Sequence, residues 1–187
     1  MSESAAIDAR NMSVAEILQH YREWRDNQPK DTDGRLKPLT RDNRDDGLVI
    51  NNADLSGADL SGQDLQRLLL QFGGSLKGAK LAGSNLADAN LLGVDGTDAD
   101  FTGANLCDAL VIGGDFSNAR FCSADMQRVV FAPRWALNVD VKGADLREAN
   151  LAGSAACYDL VLDGANVEGA VLGHRSNPPQ QMDGFLA

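Results

Sequence analysis

The sequence predicts an all-β solenoid, a chain wound into a coil with four short sides per turn. From Asn51 onward the 187-residue chain divides into groups of five, such as ADLSG, AKLAG, SNLAD, ADFTG and ANLCD. Five residues advance about 500° on an α-helix, so a helix would spread the central leucines over every face. A straight strand sends residues at an odd spacing to opposite faces. The chain can bury every central Leu only if it turns a corner once in each group.

Each group of five therefore forms one side of the coil, and four sides make a coil of about 20 residues. Within a side, the central residue and the residue two places before it lie on the same face. Both should point inward, which predicts columns of Leu or Phe beside columns of Ala. The other positions usually hold Asp or Asn, then a small or charged residue, then often Gly. These positions should face water or form the corners.

The A(D/N)LXX groups resemble the pentapeptide-repeat family, and the resemblance covers about two-thirds of the chain. It implies a right-handed quadrilateral β-helix. Counting the central positions gives 25 repeats, or about six coils. With coils spaced like paired strands, about 4.8 Å apart, the rod should be roughly 30 Å long.

The repeat frame slips by one residue at two places. One slip lies between Leu70 and Leu76, around residues 73–74, and the other lies between Leu151 and Cys157. We expect each slip to be a bulge at a corner, because a bulge accommodates one extra residue without breaking the pairing on either side.

Two further places depart from the repeat pattern. Within residues 133–138, Pro133 removes a backbone donor and Arg134 takes an inward position that is usually Ala. Gly96 leaves a central position without a side chain. We interpret both as local packing faults that the rod tolerates.

The residues before the repeats predict a helix. Ser13 and Glu16 form an S-x-x-E capping box, and apolar residues follow at helical spacing: Val14, Ile17, Leu18, Tyr21 and Trp24. We expect a helix over about 14–26 that caps the open first coil, whose unpaired backbone groups otherwise invite edge-to-edge association. The alternative is that Tyr21 and Trp24 bind a partner.

The chain thus divides into an N-terminal extension at residues 1–49, a repeat β-helix at residues 50–173, and a tail at residues 174–187. Residues 27–47 are rich in Asp, Arg, Lys and Asn and predict an irregular polar connection.

One side of the predicted coil has apolar residues at positions that should face water. Its central residues are Leu70, Leu91, Val111, Phe131 and Leu151, and its apolar outward residues are Leu69, Leu92, Leu110, Ile112 and Val130. This is more exposed aliphatic surface than scattered apolar residues would give. We interpret it as an interface with a protein partner or with a second copy of the chain. The alternative is that the N-terminal segment folds over this side and buries it.

The sequence predicts neither an enzyme nor a cofactor. It contains no GxGxxG, GxxxxGK[ST], GxSxG or HExxH motif, and its two histidines, His20 and His174, should lie near opposite ends of the rod. The three cysteines, Cys107, Cys122 and Cys157, form no CxxC pair and suit a reducing compartment. We therefore expect no metal site.

Charge and hydropathy indicate a cytoplasmic protein. No apolar run reaches the roughly 18 residues of a membrane span, and the start of the chain does not resemble a secretion signal. With 27 acidic and 17 basic residues, the net charge is −10, which disfavours direct binding to nucleic acid.

Two functions are consistent with these features. The first is a structural or interaction module that works by protein–protein contact. The second follows from the resemblance, since some pentapeptide-repeat proteins mimic duplex DNA and inhibit or protect bacterial DNA gyrase and topoisomerase IV. The outward acids that would serve this role are Asp100, Asp125, Asp140 and Asp145.

The charge of the repeats allows only dilute mimicry of DNA. Residues 50–175 hold 16 acidic and 9 basic residues, a net charge of −7. Over a rod of roughly 30 Å this is one net charge per about 4 Å, whereas duplex DNA has one per about 1.7 Å. The interaction module is therefore the first hypothesis and the mimic the second.

Overall fold

The computed structural model describes residues 6–32, 36, 48–71, 73–152 and 160–171, which form one helix and a stack of parallel coils. The helix, α1, spans Val14–Asp26. The strands are β1 (Ala6–Asp8), β2 (Val49–Asn51), β3 (Leu69–Gln71), β4 (Leu110–Ile112), β5 (Val130–Ala132), β6 (Val139–Asp140) and β7 (Leu160–Val161). They pair in the order β1-β2-β3, β4-β5 and β6-β7. Single parallel bridges connect the coils elsewhere.

A tight turn follows most central residues and makes the corner that the five-residue period predicts. In the first described repeats, the carbonyl of Leu55 accepts the N–H of Ala58 at 3.1 Å. Gly57, the third residue of this turn, has a φ of 64°. A positive φ at the third position is the mark of a type II turn and favours Gly there. The same turn recurs on three sides of the coil, whereas no such hydrogen bond is present after Ile50, Val111 and Phe131, which lie in β2, β4 and β5.

The strand register confirms the 20-residue coil and the first slip. Ile50 pairs with Leu70, a separation of 20 residues. Asp54 pairs with Ser75 at a separation of 21, and Ser75 then pairs with Asp95 at 20 again. One extra residue is therefore inserted between Leu70 and Ser75.

The second slip leaves the same mark on the register. Val130 pairs with Asn150 at a separation of 20 residues, whereas Asp140 pairs with Val161 at 21. One extra residue therefore lies between Asn150 and Val161. The expected bulge between Leu151 and Cys157 falls largely in residues 153–159, which are outside the described residues.

The inward residues form one continuous core along the solenoid. Central residues and the Ala positions beside them are almost all buried and belong to a single apolar cluster. This confirms the predicted assignment of inward positions. Side 1 has Leu55, Leu76, Gly96, Phe116 and Ala136 at its centre; side 2 has Leu60, Leu81, Phe101, Phe121, Val141 and Leu162; side 3 has Leu65, Leu86, Leu106, Met126, Leu146 and Val167; side 4 has Ile50, Leu70, Leu91, Val111, Phe131 and Leu151.

The central position without a side chain is not a packing fault. A Cβ atom at Gly96 would lie 2.5 Å from the ring of Phe116, so that ring occupies the space. Phe116 also contacts Phe101, Phe121 and Phe131, with ring centroids 6.2–6.4 Å apart. The absence of a side chain in one coil thus allows a larger one in the next. The interpretation of Gly96 as a tolerated fault is wrong.

Residues 133–138 depart from the repeat pattern, and the backbone is locally rearranged there. Arg134 is exposed rather than inward, which corrects the position expected for it. The carbonyl of Gly114 accepts the N–H groups of both Arg134 and Trp135, at 3.0 and 3.2 Å. Pro133 and Ala136 stay buried, so the core continues through this segment.

The N-terminal residues contact the first coils through a strand and a helix. β1 pairs in parallel with β2, with Ile7 opposite Ile50, an added strand that the sequence analysis did not predict. Ser13 and Glu16 form the capping box of α1. On the inner face of α1, Tyr21 is buried and its hydroxyl donates to the carbonyl of Gln66 at 2.7 Å.

Burial raises the pKa of Tyr21, because the phenolate would have to form away from water. With its hydroxyl bonded inside the chain, Tyr21 is unavailable to a partner.

Among the described residues, no helix is long and apolar enough to cross a bilayer.

We predict that Gly96→Ala destabilises the protein by about 1–3 kcal/mol, because the new methyl group overlaps the Phe116 ring. In a Phe116→Leu background the same change should cost at least about 0.5 kcal/mol less, because the overlapping ring is gone. Urea unfolding of the four proteins measures this coupling. Equal costs in the two backgrounds would contradict the assignment.

Candidate interaction surfaces

Side 4 differs from the other three sides because its outward positions between residues 49 and 152 carry no charge. We call these positions the uncharged face. One column holds Val49, Leu69, Asn90, Leu110, Val130 and Asn150, and the other holds Asn51, Gln71, Leu92, Ile112, Ala132 and Ala152. Below this face, β1 adds Asp8, which is paired with Arg10.

All five aliphatic residues predicted for an interface lie on the uncharged face, and four of them are at least partly exposed. β4 and β5 pair in register, with Leu110 opposite Val130 and Ile112 opposite Ala132. Leu92 is 40% exposed. Leu110, Ile112 and Val130 are partly exposed. Since stacked neighbours above and below cover part of each side chain, partial exposure is expected for an outward residue on this sheet.

The fifth residue, Leu69, is only 2% exposed, so the expectation that it faces water is wrong. Gln66 beside it is also buried, and its side-chain amide donates to the carbonyl of Leu36 at 3.5 Å. Part of the N-terminal segment therefore lies against this end of the solenoid. The burial of Leu69 is consistent with covering by that segment, the alternative considered from the sequence, whereas Leu92 stays exposed.

The corner between sides 3 and 4 borders the uncharged face with charged residues. There the guanidinium of Arg128 binds the carboxylate of Asp108 through two hydrogen bonds, of 2.9 and 2.7 Å. An apolar centre with a polar border is typical of protein interfaces.

The sequence analysis missed a second apolar surface. Trp135 is 52% exposed and Leu137 is 49% exposed. They lie on side 1, directly after the corner that ends β5. The repeat frame could have predicted this surface, because Trp135 and Leu137 flank the central Ala136 and both flanking positions of a repeat face outward. Reading the segment as a packing fault concealed it.

The four candidate DNA-mimic acids form corners of the solenoid. In each case the carboxylate accepts the backbone N–H two residues further along, which is an Asx turn. The acceptors and donors are Asp100 with Thr102 (3.0 Å), Asp125 with Gln127 (3.1 Å), Asp140 with Lys142 (3.0 Å) and Asp145 with Arg147 (3.1 Å). Their repetition along the chain thus has a structural cause.

These acids lie on two sides rather than one. Asp100 and Asp140 belong to a column on side 2 in which Lys80 lies before Asp100, and Arg120 lies between the two acids. The guanidinium of Arg120 is 3.8 Å from the carboxylate of Asp100. Signs alternate along this column, so its charges largely cancel.

Asp125 and Asp145 pair with each other on side 3. Arg147 forms an ion pair of 2.7 Å with Asp145. Further down the same column, the amide of Asn85 donates to Asp64 at 2.9 Å and Asn105 donates to Asn85 at 3.2 Å. The acidic part of side 3 is therefore short and partly neutralised.

Hydrogen bonds lower the pKa of two of these carboxyl groups, Asp100 and Asp145. For Asp145, the side chain of Arg147 is the main cause of a lowered pKa. For Asp100, burial opposes ionisation, but hydrogen bonds from Thr102 outweigh it and the pKa is lowered.

Burial and the nearby Asp108 raise the pKa of the Cys107 thiol to about 12, so this cysteine is not an activated nucleophile.

The described part of the chain contains no group of three or more His, Cys, Asp or Glu side chains that could hold a metal ion. His20 is exposed on α1, and His174 and Cys157 lie outside the described residues. Cys107 and Cys122 are free thiols.

Comparison with known families agrees with the repeat geometry. The family model described as Pentapeptide repeats (8 copies) matches residues 75–110 and 99–132. Residues 75–132 therefore match pentapeptide repeats, as the sequence predicts. No curated protein is significantly similar to it in sequence.

Three solved structures illustrate the similarity. A pentapeptide repeat protein from the Arabidopsis thaliana thylakoid lumen is 29% identical, with 72% of this chain and 74% of that chain covered and a TM-score of 0.30. One from the cyanobacterium Cyanothece 51142 is 17% identical, with 65% and 89% covered and a TM-score of 0.33. A trypsin-treated form of QnrB1, a plasmid-mediated fluoroquinolone resistance protein, is 17% identical, with 98% and 95% covered and a TM-score of 0.38.

We predict that Asp100→Asn is tolerated, whereas Asp100→Ala destabilises the protein by about 0.5–1.5 kcal/mol. Asn keeps an oxygen that can accept the Thr102 N–H, and Ala leaves that donor without its partner. Urea unfolding measures both. Equal losses for Asn and Ala would mean that the charge, not the corner hydrogen bond, matters at this position.

Proposed function

We propose that this chain is a non-enzymatic interaction module that binds a protein partner through the uncharged face. The single observation that supports this most is the coincidence of partly exposed aliphatic residues with the absence of charge on one side of an otherwise acidic rod. The surface around Leu92, Leu110, Ile112 and Val130 is the proposed contact.

The energetics of desolvation favour this surface over the other three sides. Covering Leu92 or Ile112 removes apolar area from water, which contributes about 25 cal/mol per Å². No unpaired charge has to be desolvated at the same time, a step that would cost several kcal/mol. Contact on sides 1 to 3 would involve carboxylates that already accept hydrogen bonds from their own corners.

The proposal treats the repeats as a rigid support. It comprises about six coils over residues 50–173, an extension at residues 1–49 in which α1 caps the first coil, and a tail at residues 174–187. The buried contact between Tyr21 and Gln66 supports the cap. Free thiols at Cys107 and Cys122 suit the bacterial cytoplasm, where we place this activity.

We predict that a photo-crosslinking amino acid at Ile112 forms adducts with a protein partner in cells that produce the chain. The matched control is the same amino acid at Thr102. It is also a partly exposed outward position one place after a central residue, but it lies on side 2. Denaturing gels with mass spectrometry detect the adducts.

Adducts from Ile112 and none from Thr102 would support the proposal. Equal yields at both positions, or none from Ile112, would contradict a specific contact on the uncharged face.

The second hypothesis is the DNA mimic that acts on DNA gyrase or topoisomerase IV. The cancellation of charge along side 2 and the ion pair between Asp145 and Arg147 both weaken the case for it, because a mimic needs an unbroken run of negative charge. We therefore rank it below the interaction module.

We predict little inhibition of a gyrase supercoiling assay at about micromolar protein, because the net charge is dilute. The control replaces Asp100, Asp125, Asp140 and Asp145 together by Asn, which keeps the corner acceptors. Strong inhibition by the natural chain that disappears in this variant would make the topoisomerase hypothesis the better one.

A further inference from the structure

We infer that residues 182–187 stack on residues 162–167 as part of a further coil and cover the apolar core at that end of the solenoid. Two observations support this contact. The coil of residues 160–171 is incompletely covered, and residues 182–187 repeat its sequence pattern one coil later. The contact does not involve the uncharged face, so it holds or fails separately from the proposed function.

The apolar core is less well covered in the coil of residues 160–171 than in the coils before it. The central residues Leu162 and Val167 are partly exposed. The equivalent residues one coil earlier, Val141 and Leu146, are each 1% exposed. At the opposite end of the solenoid, where β1 and α1 contact the first coils, the central residues are buried. An apolar cover over Leu162 and Val167 is therefore favourable, because it removes their remaining apolar area from water.

The backbone of this coil also offers an edge to a further coil. One coil earlier, the N–H of Leu146 donates to the carbonyl of Asn166 at 2.7 Å. Among the residues that the structure describes, the equivalent N–H group of Val167 has no hydrogen-bond partner, and neither has that of Leu162. Unpaired groups along the edge of a sheet are a template for another strand.

The sequence of this coil recurs at a spacing of 20 residues. Residues 162–167 read LDGANV and residues 182–187 read MDGFLA, with Asp and Gly at the same two places. In the first segment Gly164 has the positive φ of a corner, 68°. The N–H of Ala165 donates to the carbonyl of Leu162 across this corner at 2.9 Å. The second Asp-Gly pair has the residue types to form the same corner, since Gly is favoured at its third position.

The 20-residue register places most of the apolar residues of the second segment inward. The pairs are Leu162 with Met182, Ala165 with Phe185, Asn166 with Leu186 and Val167 with Ala187. In this register Met182 takes a central position, and Phe185 takes the inward position that is usually Ala. Ala165 is 9% exposed, the largest value among the buried apolar residues of the core. A Phe side chain above it covers more of the core than Ala would.

Leu186 is the exception, because it falls at an outward position. Its column holds Asn105, Asp125, Asp145 and Asn166 in the coils before it. The register therefore assigns different roles to two neighbouring apolar residues, with Phe185 covering the core and Leu186 facing water.

Residues 172–181 are long enough to connect the two segments. Positions 172 and 182 are ten residues apart, which is also the interval between central residues two sides apart, such as Leu91 and Phe101. Pro179 falls at the third turn position of side 1, and proline cannot adopt the positive φ that this position needs. We therefore limit the stacked segment to residues 182–187.

Hydrogen exchange of backbone amides in the full chain, measured by NMR, tests the contact. In this register the N–H groups of Leu162 and Val167 donate to carbonyls of the next coil, as the N–H of Leu106 donates to that of Asp125 at 2.7 Å. We expect the amides of Leu162 and Val167 to exchange at least about tenfold more slowly than unprotected amides. Exchange at the rate of an unprotected amide would overturn the inference.

Two matched variants separate this register from unspecific apolar contact. Phe185→Asp places a charge at an inward position and should abolish the protection of Leu162 and Val167. Leu186→Asp places the same charge at the neighbouring outward position and should preserve it. Amides of the middle coils, such as that of Asn105, should be unchanged in both variants, which verifies that the rod is folded. Equal loss in the two variants, or loss in neither, would overturn the proposed register.

The same exchange measurement at about 50 and 500 μM protein distinguishes contact within one chain from contact between chains. Residues 182–187 belong to the same chain as the coil that they cover, so the protection should not depend on concentration. Protection that rises with concentration would mean that a second copy covers this end, and it would overturn the inference.

Discussion

The rest of the structure depends on the corner that the backbone makes once in every five residues. A carbonyl such as that of Leu55 accepts the N–H three residues on, and a carboxylate such as that of Asp100 accepts the N–H two residues on. These two hydrogen bonds turn the chain at a fixed interval, and the fixed interval stacks each side on the equivalent side of the next coil. The Asp or Asn of the repeat is therefore a structural residue first. Because Asp is abundant at this position, the protein surface is acidic whether or not a partner recognises that charge.

Once the corners fix the coil, the inside and the outside of the solenoid obey different constraints. Inward positions must fill a narrow space, and Phe116 shows how strictly, since its ring occupies the space that Gly96 leaves open. Outward positions need only be compatible with their neighbours in the column, so each side can acquire its own chemistry. Alternating charges on side 2 and an absence of charge on side 4 are two outcomes of that freedom. In such a protein, the differences in chemistry between the sides indicate function better than any single residue does.

The sequence predicted the periodic part of the structure and missed the parts that depend on contacts distant in the chain. Inward columns and the slip after Leu70 follow from counting, because each obeys a local spacing rule. The pairing of β1 with β2 could not be predicted from the repeat spacing, since it depends on where the N-terminal segment lies against the repeats. The repeat spacing did not predict the burial of Leu69 either. The exposure of Trp135 was accessible to the same counting rule but was obscured by Pro133. The candidate surface was therefore placed correctly on side 4, and its extent was overestimated at one end.

Phe101, Phe116, Phe121 and Phe131 lie in consecutive middle coils, and this placement should determine how the rod unfolds. Each coil contacts only its neighbours, so the stability of a solenoid is approximately a sum of nearest-neighbour terms. Stacking of Phe101 on Phe121, with ring centroids 4.6 Å apart, makes the central junctions the strongest. Unwinding should then begin at the two ends and reach the middle last. Leu92, Ile112 and Val130 lie in that last-melting zone, so the surface proposed for binding would survive the fraying that removes the terminal coils.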